Sequence, residues 1–399
     1  MKRVAVLGGG PAGAHTAELL AASGLETILI DEKLAWEKPC GGGITYKAYD
    51  KYPFLFESRT PKKIVTESYI GAHKVGSVKL KLNQPLLVFS RLELNQMLLD
   101  RAEKAGVQIE KERVTAIEER DQGWTLKTKA GAIEADYMIV ATGARNPLRD
   151  VGTQWTPEDT MVALGYYIPT NQEHIDIQFL DRLEGYIWIF PRAGHLSAGI
   201  CGRGETAQQL RVRLERYLDE KGINWKQGQL YAHMLPSLSR AHWKTNRVAG
   251  KRWMAVGDAA GLVDPITGEG IYYAMRSADL ASRVIRAEAF DPATAASMYR
   301  SQMEDDFLLD LEFGASFAQK LYLGRFFFKS IPSCIVGYMN RSPKLYELMQ
   351  DIFSGTQDYI SLRNRVFRSL NGSVNESVVN FIFQRIIPEA PVSMRAAAR

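Results

Sequence analysis

Apolar runs and turn-forming residues alternate from the first residues of the chain. A β-branched run at residues 3–7 breaks into Gly8-Gly9-Gly10, and Ala14, Ala17, Leu19, Leu20 and Ala21 then recur at helical spacing as far as Gly24. A second apolar run, residues 27–30, closes in Asp31. Strand, tight turn, helix and strand in that order make a βαβ unit, so the pattern predicts a parallel sheet at once.

Between residues 60 and 90 the pattern changes to strand-like alternation (SVKLKL, PLLVFS), and residues 91–105 return to an amphipathic helical period. Residues 113–119 and 124–129 read as a meander, and 137–141 as another buried strand that ends at Thr142-Gly143. Residues 150–245 alternate throughout, apart from one helix over 206–220; residues 253–256 then lead through Gly257-Asp258 to a helix over 270–286. The expected fold class is α/β. A Rossmann-type nucleotide-binding domain (1–60, 90–150 and 245–290) is interleaved with a sheet-based substrate domain (61–89 and 151–244) and followed by a mostly helical region (291–399).

Composition narrows the class of protein. The 399 residues are 46% hydrophobic and 24% charged, which excludes disordered and fibrous chains. No apolar run approaches the ~20 residues that a membrane-spanning helix needs. Met1-Lys2-Arg3 ahead of an apolar run mimics a secretory signal, but Gly8 stops that run and Glu18 lies inside the next helical pattern, so the N-terminus is read as mature structure. Cys40, Cys201 and Cys334 are too few for a disulfide framework, and no C-x-x-C or H-E-x-x-H spacing offers a metal site; a reducing, cytoplasmic setting is expected. The formal net charge of +5 is too slight to argue for nucleic acid.

The chemistry begins with Gly8-x-Gly10-Pro11-Ala12-Gly13 between strand and helix, and with Asp31 at the end of the next strand. Gly8 permits the tight turn, Gly10 lets backbone approach a pyrophosphate, and Gly13 permits close packing of helix on strand. The helix start offers N–H groups and a positive dipole end to phosphates. Asp31, with Glu32 and Lys33 beside it, is placed to meet ribose hydroxyls. FAD and NAD both use this fingerprint. A second glycine-rich segment, Trp253 to Ile271, tells them apart: Gly257 and Asp258 suit a sugar-alcohol chain, and the turn through Pro265, Gly268, Gly270 and Ile271 opens a helix toward negative charge.

Together with Arg91 in V-F-S-R-L-E-L-N and with Ala141-Thr142-Gly143 at a strand end, this set resembles the p-hydroxybenzoate-hydroxylase-like FAD oxidoreductases. The resemblance implies FAD, with Val114 offering backbone groups to the adenine. Gly41 to Gly43 would allow close backbone approach, which places Cys40 and Gly41 near the flavin. No second G-x-G-x-x-G is present for a resident nicotinamide nucleotide, so the external reductant is NAD(P)H bound transiently or a protein donor such as ferredoxin. Two further motifs, Pro39-Cys40-Gly41-Gly42-Gly43-Ile44 and Tyr186-Ile-Trp188-Ile-Phe190-Pro191, resemble the geranylgeranyl reductase family, whose members saturate isolated C=C bonds of isoprenoid chains with reduced FAD. The likeness covers most of the first 290 residues and departs at Leu183, where family versions often carry proline. It implies that Tyr186, Trp188 and Phe190 line a lipophilic substrate, with Cys40, Tyr186 and Trp188 the candidate catalytic residues.

The residues carry part of that reading unaided. Side chains at period two share one face of a strand, so Tyr186, Trp188 and Phe190 pave a single wall, or equally an ordinary core face. A thiol at Cys40 can give a proton to a carbon as hydride arrives, or be a small residue packed beside glycines. Cys201 and Cys334 are read as structural, and no histidine stands at catalytic spacing; His195 is the outside candidate. An aromatic monooxygenase or flavin-dependent halogenase on the same scaffold is the alternative, although Tyr186 and Phe190 depart from the halogenase Trp-x-Trp-x-Ile-Pro pattern. Finally, residues 313–346 hold no acid, while Lys320, Arg325, Lys329, Arg341 and Lys344 interleave with Leu321, Tyr322, Leu323, Phe326, Phe327, Phe328 and Ile335. On helices such a stretch reads as a membrane-surface face, as the lining of a lipid channel, or as a core helix with a solvated basic side.

Overall fold

The computed structural model describes residues 3–287, 290–326, 328–368, 374–391 and 394. The chain divides into two compact units, one of Met1–Lys38, Arg91–Asp159 and Pro236–Leu309, the other of Pro39–Ser90, Thr160–Leu235 and Asp310–Arg399.

In the first unit six strands lie in the order Ala249–Gly250, Trp253–Ala255, Tyr137–Val140, Arg3–Leu7, Glu26–Ile30 and Gln108–Glu110. Every pairing is parallel except the short edge hairpin of Ala249–Gly250 with Trp253–Ala255. Val4, Val6, Ile139, Val140 and Met254 are fully buried, as a parallel sheet covered on both faces requires. The helices Pro11–Ala21, Arg91–Lys104 and Ile271–Ile285 begin where chain leaves this sheet or enters the unit, which brings the glycine-rich turns to the strands' C-terminal ends. The meander is present as Ala116–Arg120, Gly123–Lys127 and Ala132–Ala135.

The second unit is built on eight strands in the order Gln229–Pro236, Thr160–Ile168, Leu196–Arg203, Glu184–Pro191, Ile175–Phe179, Lys62–Ala72, Gly76–Phe89 and Gly43–Ile44. Ile175–Phe179 runs parallel to Lys62–Ala72, and its other neighbour, Glu184–Pro191, is antiparallel. The helix Ala207–Glu220 places Leu210, Leu214 and Leu218 on a face made of Leu164, Ile168, Ile187, Ile189, Ala198 and Ile200.

Four expected boundaries move; residues 151–159 and 236–244 join the first unit. Residues 39–60 join the second unit, because Gly43–Ile44 pairs antiparallel with Gly76–Phe89 and the Phe89 amide donates to the Gly42 carbonyl. Residues 291–399 are also not one region. The helix Ala295–Met303 packs in the first unit, where the Tyr299 hydroxyl donates to the Ala255 carbonyl, while the helices beyond Asp310 build onto the second sheet through contacts such as Gln350 with the Lys81 carbonyl.

The start of the glycine-loop helix is anchored by charge. Buried His15 meets Asp279 Oδ1 at 3.0 Å, Glu18 pairs with Arg101, and Arg276 bridges Asp279 and Asp306, which ties together helices Pro11–Ala21, Arg91–Lys104 and Ile271–Ile285. Burial pulls the imidazolium down, yet hydrogen bonds and charge from Asp279 and Glu18 outweigh it and leave the histidine above its usual value of 6.5. A raised folded-state value stabilises the protein fully below the unfolded value and ceases to do so as pH climbs through the folded one. The stability advantage of the native chain over His15→Leu is therefore expected to be largest in mildly acidic buffer and to shrink toward alkaline pH in urea unfolding; a difference independent of pH would rule out a charged histidine here.

Candidate active site

The first unit carries two glycine turns that touch. Gly8 has φ +115°, and a Cβ there would lie 2.3 Å from the Ala141 carbonyl oxygen; a Cβ on Gly13 would lie 1.9 Å from the Gly8 carbonyl oxygen. Nothing lies within 4 Å of the Cβ position at Gly10, which caps the helix Pro11–Ala21 without a side-chain hydrogen bond. Pro11 fills the first helical position, where a missing N–H costs nothing. Gly257, at φ +60°, comes within 3.0 Å of the Ala12 methyl at its Cβ position, and its amide donates to Ser277 Oγ. Gly8, Ala12, Gly13, Ala141 and Gly257, scattered in sequence, thus meet.

Asp31 binds the loop to the strand end: Oδ2 accepts from the Gly9 amide and Oδ1 from the amides of Lys33 and Leu34, each at 2.7 Å. Its neighbours turn to surface partners, Glu32 to Arg113 at 3.8 Å and the Lys33 ammonium to the Trp36 ring at 4.1 Å. Val114 is not in a strand, because the ladder with Gly123–Lys127 starts only at Ala116; it lies in the preceding connection.

Asp258 sits at the other end of this cluster. Lys38 Nζ is 3.2 Å from its Oδ2, and its Oδ1 is 3.4 Å from the Cβ position of Gly270, which opens the helix Ile271–Ile285 without a side-chain cap. The same ammonium is 3.5 Å from the Cβ position of Gly143, while Thr142 Oγ1 donates to Asn146. The turn through Pro265 and Gly268 is shaped by Asp264, whose Oδ1 accepts from the amides of Ile266 and Thr267, and by Gly268 at φ +73°. Arg91 is buried; its amide donates to Glu37 and its guanidinium reaches Asn95 Oδ1 at 3.3 Å. Among the described residues no carboxylate pairs with that guanidinium, so its remaining donors suit an anion. Lys38, Glu37 and Asn95 carry no local sequence signal and emerge only from the fold.

The second unit holds the other motifs. In Glu184–Pro191 the register pairs Tyr186 with Cys201, Trp188 with Gly199 and Phe190 with Ser197, on the face away from the Ile187–Ile189 core. The three aromatics share that face. Trp188 occupies the space left by Gly199, whose Cβ would lie 2.3 Å from the indole, and Phe190 covers Gly41 and Gly43, the latter at 2.6 Å from its Cβ position. The row continues beyond them: Trp188 to Tyr186 at 6.1 Å, Tyr186 to Phe179 at 6.3 Å, and Phe179 to Tyr322 of the helix Leu309–Leu323 at 6.1 Å between ring centres. Cys40 is half-buried, and its sulfur accepts from the Gly42 amide at 3.3 Å. Cys201 and Cys334 are buried, and burial pushes the Cys201 thiol up to about 12 and raises that of Cys334. His195 stacks edge-on to Tyr167, and its carbonyl accepts from the Arg192 amide.

Comparison with known proteins now bears on these two clusters. Residues 2–151 match the family described as pyridine nucleotide-disulphide oxidoreductase, and residues 88–277 the family described as FAD dependent oxidoreductase. The chain is 30% identical over 317 residues to the chloroplastic geranylgeranyl diphosphate reductase of Arabidopsis thaliana, covering 71% of this chain and 65% of that protein. The chain belongs to the geranylgeranyl reductase family of FAD-dependent oxidoreductases. It is also 29% identical to a menaquinone reductase of Mycobacterium tuberculosis, over 76% of this chain and 79% of that one. A crystal structure of a geranylgeranyl bacteriochlorophyll reductase-like protein from Thermoplasma acidophilum shares the fold at TM-score 0.73 and 22% identity, over 88% of this chain and 100% of that one.

The residues of this oxidoreductase fit FAD. The open backbone and uncapped helix start at Gly10 offer N–H donors of the kind a diphosphate needs, the helix start at Gly270 offers a second such end, and the buried guanidinium of Arg91 has donors that suit an anion. Gly10→Val is expected to keep the fold, costing at most about 1 kcal/mol as a poorer cap, yet to weaken FAD binding by about tenfold or more by blocking approach. Gly13→Val is expected to unfold the unit, since its side chain meets the Gly8 carbonyl. Fluorescence titration of apoprotein with FAD, read beside thermal melting, separates the two; equal melting losses would sink the distinction.

Proposed function

We propose that this enzyme saturates C=C bonds of a geranylgeranyl-type isoprenoid chain. The observation that carries the reading is the aromatic face of the second sheet, where Phe190, Trp188, Tyr186, Phe179 and Tyr322 follow one another while the opposite face packs on the helix Ala207–Glu220. A face of rings with small residues opposite them on the next strand, Gly199 and Cys201, suits a long, flat hydrocarbon. The relatives, a geranylgeranyl diphosphate reductase and a menaquinone reductase, support a lipophilic substrate.

Bound and reduced, FAD supplies a hydride from N5. The first unit would hold it, with Gly8, Gly10, Pro11, Ala12 and Gly13 serving the diphosphate, Asp31 the ribose, Val114 the adenine, Arg91 and Asp258 the linking chain, and Gly268 to Ile271 the ring. Tyr186, Trp188 and Phe190 hold the alkene and keep water from it. Cys40 gives its S–H proton to the neighbouring carbon, so that one hydride and one proton complete the C–H pair; the thiolate regains a proton from solvent. The reductant is NAD(P)H or ferredoxin, acting from outside.

We further propose contact with a membrane surface. The acid-free segment does not form a continuous basic helix face: Tyr322 is buried, and Arg325–Phe326 pairs with Lys329–Ser330 in a short hairpin. Phe327 lies outside the described residues. Around that hairpin Phe328 is 92% exposed and Leu323 and Phe381 are exposed as well, beside Lys320, Arg325, Lys329 and Arg385, whose guanidinium lies 4.6 Å over the Phe381 ring. Exposed rings among cations fit an anionic lipid surface. Sedimentation with phosphatidylserine vesicles is expected to carry down the native chain and to lose Phe328→Ser with Lys329→Ser by about threefold or more; equal sedimentation would refute the contact.

The reaction is tested under strictly anaerobic conditions with dithionite-reduced enzyme and geranylgeranyl lipids, the products being weighed by mass spectrometry. Products heavier by H2 per double bond are expected. A strict need for oxygen, with one oxygen atom gained, would instead establish the monooxygenase reading. Cys40→Ala should retain FAD and lose turnover by about 100-fold.

A further inference from the structure

Arg192 is completely buried in the second unit, at the turn between strands Glu184–Pro191 and Leu196–Arg203. A guanidinium is costly to bury and is retained only where its donors are met. Two of them go to one short stretch of main chain: Nη2 donates to the Cys40 carbonyl and Nε to the Gly41 carbonyl at 3.3 Å. Ser197 Oγ donates to the same Cys40 carbonyl at 2.8 Å and lies 3.0 Å from the Tyr231 hydroxyl, which burial pushes up to about 12 against the pull of Ser197 and Arg192. The Tyr167 ring closes the other side of the guanidinium, 5.2 Å from its carbon.

Downstream the loop is held by the Phe89 amide on the Gly42 carbonyl, by the pairing of Gly43–Ile44 and by Phe190 over Gly41 and Gly43; Arg192 and Ser197 hold it upstream, at the carbonyls of Cys40 and Gly41. Gly41, Gly42 and Gly43 permit many backbone states, and three successive glycines lose a large conformational entropy on ordering. Gly42 adopts φ +86°, with its Cβ position 2.1 Å from the Phe89 carbonyl oxygen, and in that state its amide reaches the Cys40 sulfur. Holding the carbonyls of Cys40 and Gly41 orients the two peptide planes on either side of Gly41, and so determines where the thiol lies.

We propose that Arg192, backed by Ser197, is a positioning residue that holds the Cys40 thiol in its working orientation by binding the carbonyls of Cys40 and Gly41. The proposal deepens the reading of Cys40 as proton donor and rests on it for its effect on turnover, though not for its effect on the thiol. The test measures alkylation of Cys40 by iodoacetamide across pH, resolved by peptide mass spectrometry, in FAD-loaded native enzyme, Arg192→Met and Arg192→Lys; buried Cys201 and Cys334 serve as internal references. In Arg192→Met, Cys40 alkylation is expected to rise about tenfold, the scale of one lost charge-assisted hydrogen bond, and kcat to fall with KM nearly unchanged. Arg192→Lys should recover part of both. If Arg192→Met does not fold, Ser197→Ala is expected to move both readouts in the same directions by about threefold. Native alkylation rates and kcat in a folded Arg192→Met would overturn the proposal. If Cys40→Ala retains full turnover while Arg192→Met still exposes Cys40, the proton-donor reading fails and the positioning of the thiol by Arg192 stands.

Discussion

The nucleotide-binding unit depends on one close approach, the seating of the Gly13 backbone on the Gly8 carbonyl, with the Gly8 turn in turn seated on the Ala141 carbonyl. With Cβ positions at 1.9 and 2.3 Å from those oxygens, no side chain is tolerated at either glycine without moving the helix off the sheet. The start of the helix Pro11–Ala21 therefore lies directly against the ends of two parallel strands, Arg3–Leu7 and Tyr137–Val140. The same proximity lets Gly257, from a strand far along the chain, reach Ala12. A helix start presented in this way lacks a side-chain cap, and its unpaired N–H groups suit an anion. The His15–Asp279 and Arg276–Asp306 contacts hold the helix in the required place from behind.

In the second unit the governing constraint is register. Because side chains alternate strictly along a strand, pairing Trp188 with Gly199 assigns every residue of both strands to a face. Ile187 and Ile189 are sent to the helix Ala207–Glu220, and the aromatics to the other side. A shift by one residue would bury Tyr186 and Trp188 in the aliphatic core and expose isoleucines, so the pairing that builds the core also builds the aromatic face. The glycines complete the arrangement: Gly199 makes room for the indole and Gly41 and Gly43 make room for Phe190, so bulky rings lie flat on the backbone instead of standing away from it.

Much of this was legible in the sequence because it is local. The strand at residues 3–7, the helix Arg91–Lys104, the helix Ala207–Glu220 and the two glycine turns each follow from spacing within one segment. The p-hydroxybenzoate-hydroxylase-like and geranylgeranyl reductase likeness was carried by contiguous motifs, and the curated relatives bear out that family. What escaped depends on pairing between distant segments. Residues 39–60 left the expected domain because two residues, Gly43–Ile44, add to a sheet edge, and nothing in so short a run announces a strand. The C-terminal basic stretch read as mostly helical; the hairpin appears only where Gly324 ends the helix Leu309–Leu323, and a two-residue strand has no period to detect. Lys38, Arg192 and Tyr231 were invisible for the same reason: their partners lie between 34 and 220 residues away in sequence.

The three cysteines show how much more position decides than residue type. Cys201 lies on the aromatic face itself, opposite Tyr186, yet it is enclosed, its thiol is raised to about 12 by burial, and its sulfur faces the Tyr186 carbonyl at 3.8 Å. A thiol that cannot easily become a thiolate is a poor choice for a group that must release a proton and take one back. Cys334 is buried on the helix Ile331–Met339, where desolvation acts the same way. Cys40 differs because the backbone around it, rather than its side chain, is what the protein binds: two carbonyls are taken by Arg192 and Ser197, and Phe190 lies over the glycines that follow. The thiol is left half-buried, with the Gly42 amide donating to its sulfur. In the role proposed for it, Arg192 adds to the packing of Phe190 on these glycines two hydrogen bonds to the main chain, which leave the Cys40 sulfur itself free of the contact.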